Sequence, residues 1–181
     1  MDGHFAGYAS VFGVPDLGRD TVLPGAFAAS LARRGAGGVR MLWQHDPAEP
    51  IGRWHALAED SRGLRVEGRL NLAVQRAREV EALMREGGLD GLSIGFRVVK
   101  AVPARGGRRL VAVDLWEVSL VTFPLQPGAR VLARASASLA ANLHAQARRM
   151  RCPAMRSPFP ASRARGCAPS SIFSFNTRGQ P

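Results

Sequence analysis

Apolar and polar residues alternate with a period of two over most of residues 1–133, and two stretches change to a helical period. "HFAGYASVFG" (4–13) alternates large and small side chains and stops at Gly13-Val14-Pro15-Asp16, so a strand is expected there. "PGAFAASLARR" (24–34) opens with Pro at a helix start and runs into the Gly35–Gly38 cluster. "VRMLWQH" (39–45) reads as a strand leading to an Asp46-Pro47 turn. Residues 51–60 and 63–71 read as a hairpin turning at Asp60-Ser61-Arg62-Gly63. In 73–88 the residues Val74, Ala77, Val80, Leu83 and Met84 form one apolar stripe, and Gly87-Gly88 ends the helix. "LSIGFRVVKAV" (92–102) and "RLVAVDLWEVSLVTF" (109–123) read as antiparallel partners joined at Arg105-Gly106-Gly107. Pro124 and Pro127 end the pattern. The expected fold is mainly β with flanking helices (α+β), an antiparallel barrel or curled sheet.

The character changes near Ser136. Residues 136–150 fit a short amphipathic helix carrying Leu139, Leu143 and Met150. Residues 151–181 are rich in Pro, Ser and Arg and have no period; they bury too little apolar surface to offset their ordering entropy, so disorder is expected. The chain therefore divides into a body, 1–133, and a tail, 134–181. Charge follows the same division. Of the net +11, the body carries 17 basic residues against 14 acidic ones, and the tail carries 8 Arg and no acid. A basic arm can contact a polyanion; without a nucleic-acid module, a solvated extension is the favoured reading. No apolar run approaches the roughly 18–20 residues that cross a bilayer, so a cytoplasmic protein without a membrane partner is expected. Cys152 and Cys167 have no metal-ligand spacing with histidines, and no role is assigned to them.

Three residues could carry chemistry, each unremarkable alone. In "GLSIGF", Ser93 alternates with Leu92 and Ile94 and so points to the opposite face. His45 ends a strand. Glu117 lies in the apolar run "DLWEVSLVTF", where a buried carboxylate requires a partner. Simple alternation puts Glu117 on one face with Leu115 and Ser119, and Trp116 with Val118. Together the three supply what acyl transfer by serine requires. A hydroxyl is a poor nucleophile until a base takes its proton, an imidazole titrates near the working pH, and an acid fixes the imidazole tautomer. Asp114 is the alternative acid. Asp46 is expected to cap its own turn. His55, His4 and His144 are the competing bases. "GLSIG" spells the elbow of the α/β-hydrolases, but the strand continues through Val99 where that elbow turns into a helix.

"GYASVFGVPD", "VLPGAFAASL", "MLWQHDPAEPIGRW", "ALMREGGLDGLSIGFRVV" and "LWEVSLVTFPLQPGARV" occur in this order over roughly residues 4–132. In them the chain resembles the prohead maturation protease family of tailed bacteriophages, which is similar in fold to the herpesvirus assembly proteases. The resemblance implies a β-barrel flanked by helices, with Ser93 as nucleophile, His45 as base and Glu117 as third member. The oxyanion donors are not readable from the sequence, and analogy to the herpesvirus enzymes points to backbone N–H groups in the loop after Phe123; neither cofactor nor metal is expected. The implied substrates are the scaffolding segment of the major capsid protein and the protease itself. Cleavage would occur inside procapsids assembling in the host cytoplasm, for a phage, a prophage or a gene transfer agent. The resemblance leaves self-association open. The acid-free tail departs from the family, where a charged helix often follows the barrel. A catalytically silent assembly protein on the same fold is the alternative.

Overall fold

The computed structural model describes residues 2–134. The sequence periods become eight strands and two helices: β1 His4–Val11, β2 Asp20–Val22, α1 Ala28–Arg34, β3 Arg40–Trp43, β4 Asp46–Glu59, β5 Gly63–Leu70, α2 Gln75–Arg85, β6 Gly91–Ala104, β7 Gly107–Val121 and β8 Val131–Arg134. The expected mainly-β body with flanking helices is what forms. One sheet runs β2-β7-β3-β4-β5-β1-β8, with β6 on the remaining side of β7. It curls until its ends meet. Gly91 at the start of β6 bridges Arg130 just before β8, and Leu92 N–H donates to the Ala129 carbonyl at 3.0 Å.

β7 is the central strand. One of its edges carries β6 for nearly its whole length, and the other carries β2 at Arg108–Leu110 and β3 at Glu117–Leu120, both parallel. Its inward residues Leu110, Leu115, Val118 and Leu120 are fully buried with Leu92, Ile51, Leu64 and Val66. Burying each leucine in such a core contributes roughly 1.5–3 kcal/mol. α2 covers the core with Ala77, Val80 and Met84, while Leu83, counted in its apolar stripe, lies half-exposed. The helix ends where Gly87 takes φ +77°, and Gly87 and Gly88 N–H return to the Met84 and Leu83 carbonyls.

The differences from the sequence reading have local causes. α1 starts at Ala28 instead of Pro24 because Gly25 takes φ +86°, outside the helical region, and the Glu59 carboxylate holds the N–H groups of Gly25 and Phe27 in that entry turn, at 3.0 and 2.8 Å. β2 has three residues, too few to show a period. β8 follows the two prolines at which the ordered pattern was expected to end. β7 does not alternate simply. Gly95 pairs with Glu117 and Phe96 with Leu115, so Trp116 is an extra, bulged residue. Leu115 and Glu117 therefore face opposite sides, contrary to simple alternation. The helix expected at 136–150, the disorder expected at 151–181, His144 and both cysteines lie outside the described residues.

Candidate active site

The bulge sorts the inner half of β7 cleanly. Val118 and Leu120 enter the core, and Glu117 and Ser119 take the other face. On β6, Ser93 pairs with Ser119 and Gly95 with Glu117, so S-x-G lies antiparallel to E-x-S across one face. Ser93 is 7% exposed and Ser119 is fully buried. The expectation that Ser93 points away from the face of Leu92 and Ile94 holds.

His45 reaches this face through a strained turn. β3 and β4 form a hairpin in which Trp43 pairs with Asp46, leaving Gln44 and His45 as a two-residue loop. Both have positive φ, +51° and +63°, as in a type I′ turn. Asn and Gly favour those positions; for other residues such conformations cost on the order of 1–3 kcal/mol each and cluster at functional sites. The turn therefore comes two residues before the expected Asp46-Pro47. Asp46 caps locally, accepting from Ala48 N–H at 2.8 Å, as its sequence position suggests. Three contacts to β7 and its end hold the turn. Gln44 N–H donates to the Leu120 carbonyl at 3.0 Å, the Gln44 side-chain amide donates to the Thr122 hydroxyl at 2.7 Å, and His45 N–H donates to the Ser119 hydroxyl at 3.2 Å.

The His45 ring then meets Glu117, with Nδ1 2.7 Å from Oε1. A carboxylate can only accept, so Nδ1 carries the proton and Nε2 keeps a free lone pair. The hydrogen bond to Glu117 raises the imidazole above its ordinary value; partial burial opposes the rise and the charge of Glu117 adds to it. Glu117 Oε2 accepts the Ser119 hydroxyl proton at 2.5 Å. The carboxylate has this room because residue 95 lacks a side chain. A Cβ there would stand 2.0 Å from Oε1 and 2.7 Å from the carboxyl carbon. The imidazole makes its hydrogen bond to Glu117 and none to Ser93; such a bond often tightens only when substrate binds.

Asp114, the alternative acid, is committed elsewhere. Arg34 clamps both its oxygens at 3.1 and 3.0 Å, Trp116 Nε1–H donates at 2.9 Å, and Arg33 pairs with it as well. The Arg34 hydrogen bond and then that of Trp116 hold the carboxyl far below the usual carboxylate range, against the effect of burial. It ties α1 to β7. His4 and His55 stack on each other, ring centroids 5.4 Å apart. Among the described residues no group of three or more His, Cys, Asp or Glu could hold a metal ion.

Beside Ser93 a small hollow, with room for about one water molecule, opens between β1, β2, β6 and the loop after β7. Leu92, Ile94 and Phe96, from the face of β6 opposite to Ser93, form its apolar wall with Val22 and Leu125, and Asp16, Asp20 and Gln126 form its polar one. Gln126 pins that loop, accepting from Val11 N–H and donating to the Val11 and Val14 carbonyls. The sequence reading named Ser93, His45 and Glu117 and missed Ser119 and Gly95. The available signal was their spacing, each two residues from Glu117 or Ser93 and so on the same face.

A profile of the family described as Caudovirus prohead serine protease matches residues 1–143, which takes in every described residue. The chain belongs to that family. The prohead protease of Enterobacteria phage HK97 is 39% identical to it over 140 residues, covering 74% of this chain and 61% of that protein. The chain thus spans about three fifths of the length of that relative. More distant likenesses are the KSHV protease solved with a hexapeptide phosphonate inhibitor and the varicella-zoster virus protease. The first has 14% identity and a TM-score of 0.46, covering 82% of this chain and 77% of that one. The second has 16% identity and a TM-score of 0.47, covering 81% and 76%. In this prohead protease family member, no helix among the described residues is long and apolar enough to cross a membrane.

Proposed function

We propose that the chain is a serine endopeptidase of procapsid maturation in which Ser93 is the nucleophile, His45 the general base and Glu117 the residue that orients the base. The observation that carries this is the 2.7 Å contact from His45 Nδ1 to Glu117, made on the sheet face where Ser93 stands opposite Ser119. With Nδ1–H held by the carboxylate, Nε2 takes the Ser93 proton as Oγ attacks the scissile carbonyl carbon. The imidazolium returns that proton to the leaving amine as the C–N bond breaks. Water, deprotonated by the same nitrogen, then releases the acyl group. Negative charge on Glu117 favours the imidazolium at both stages. Backbone N–H groups of the loop that Gln126 pins stabilise the oxyanion.

The substrates are the scaffolding segment of the major capsid protein and the chain itself, met inside procapsids in the host cytoplasm. Family membership and the HK97 relative support this reading. The catalytic body is residues 1–133. The test is to co-express the chain with its capsid protein and compare Ser93→Ala, adding a fluorophosphonate probe. The wild type should trim the capsid protein and label at Ser93, and the variant should do neither. Trimming by Ser93→Ala would remove Ser93 as nucleophile. Failure of the wild type to label inside assembled shells would favour a silent assembly protein.

A further inference from the structure

We infer that Ser119 is a positioning residue that clamps the orienting carboxylate and the backbone of the base into one unit from a single buried oxygen. The inference rests on the assignment of Ser93, His45 and Glu117 above and adds the device that holds them. A serine hydroxyl has one proton to give and two lone pairs to offer. His45 N–H can only donate, so the Ser119 oxygen accepts there, at 3.2 Å, and its proton goes to Glu117 Oε2 at 2.5 Å. Both bonds therefore form together without competing. Glu117 is thus fixed at one oxygen and aims the other at Nδ1.

The backbone contact matters because His45 lies in a left-handed conformation directly after another left-handed residue. A strained pair persists only where its surroundings over-determine it. Ser119 is itself immobile: it is fully buried, flanked by the core residues Val118 and Leu120, and paired to Ser93 on β6 and Leu42 on β3. The nucleophile's strand, the base's turn and the acid's carboxylate are all referenced to this one residue. Gly95 completes the seat on the opposite side, where any side chain would collide with Oε1.

A hydroxyl that only satisfied a buried N–H would affect stability and nothing else, and that contrast sets the test. The full 181-residue chain is measured as wild type, Ser119→Ala, Ser119→Thr and Glu117→Gln. The readouts are the rate of fluorophosphonate labelling against pH and the His45 imidazole titration by NMR. Displacing a catalytic group by about 1 Å costs on the order of 100-fold. Ser119→Ala should therefore label about 10–100-fold more slowly at neutral pH, and its imidazole titration and the acid limb of its pH profile should fall toward the ordinary imidazole value. Ser119→Thr, which keeps the hydroxyl, should restore both toward wild type. If Ser119→Ala does not fold, Ser119→Cys, which fills the space with a weak donor, is held to the same criteria. A Ser119→Ala protein with wild-type rate and titration overturns the inference. If Glu117→Gln lowers the rate and shifts the limb while Ser119→Ala changes neither, the catalytic assignment stands and the clamp alone is wrong. If Glu117→Gln changes neither, the assignment falls, and the clamp falls with it.

Discussion

Adding one methyl group at residue 95 should disarm the site by displacing the Glu117 carboxylate while leaving Ser93, His45 and Glu117 chemically unchanged. A Cβ at Gly95 would lie 2.0 Å from Glu117 Oε1, 2.7 Å from the carboxyl carbon and 2.8 Å from Cγ, where ordinary contact begins at 3.4 Å. In Gly95→Ala the oxygen must therefore retreat by about 1.4 Å, the difference between 3.4 and 2.0 Å. The 2.7 Å bond to Nδ1 then opens past the roughly 3.2 Å limit of a normal hydrogen bond. His45 cannot follow, because Ser119 and the left-handed turn hold its backbone. A misplacement of this size costs on the order of 100-fold in rate. The displaced group orients the base and is not one that binds substrate, so the loss should fall on kcat with KM little changed. Overpacking lowers stability by roughly 1–3 kcal/mol, so assays belong well below the melting transition. The measurements are turnover of a capsid-derived peptide and the His45 NMR titration. A folded Gly95→Ala enzyme within twofold of wild type, with an unchanged imidazole titration, would refute the reasoning.

Two further outcomes follow. The folded-state imidazole of His45 is raised by its Glu117 hydrogen bond, so the stability this pair contributes is fully present below the unfolded value of about 6.5 and is lost as pH rises through the folded value. For a half-exposed ring it amounts to less than about 1 kcal/mol after screening; denaturation at pH 6 and 9 should show it in wild type and not in Glu117→Gln, whereas activity should rise over the same interval as Nε2 loses its proton. Asp114→Asn should lower the melting temperature by loosening α1 from β7, yet leave the pH profile of Ser93 labelling unchanged; a shifted profile would return Asp114 to the active site.

Legibility differed between residues for physical reasons. Leu92 and Ile94 alternate with Ser93 along an uninterrupted stretch of β6, so the serine's face could be read from period alone. The helix at 75–85 was visible because Ala77, Val80 and Met84 repeat at helical spacing. The start of α1 was not, since it depends on a left-handed Gly25 and on Glu59, over thirty residues later, which holds the N–H groups of Gly25 and Phe27 just before the helix. The left-handed turn was hidden because Gln44-His45 is spelled with residues that do not prefer it, and contacts from Ser119, Leu120 and Thr122 impose it. Glu117 was named for its need of a partner, which it has in His45 and Ser119, although its face was misjudged: the bulge depends on pairing with β6, which strict alternation does not anticipate. Ser119 looked like any strand serine, and only the register reveals what stands on either side of it.

The extra residue Trp116 reverses the phase of β7 at the site. In the segment just before it, odd-numbered Val113 and Leu115 fill the interior; in the segment after it, even-numbered Val118 and Leu120 do, and an earlier irregularity at Val111 turns Leu110 inward. A ribbon with a single phase could slip along its neighbour to a nearby alignment. This one has no slipped alignment that keeps both segments dry, because any shift moving Trp116 out of its kink sets one segment's oily residues against water. The mismatch thus works as a ratchet stop, and the alignment of two serines, a glycine and a carboxylate is fixed by a conflict located one residue away from them.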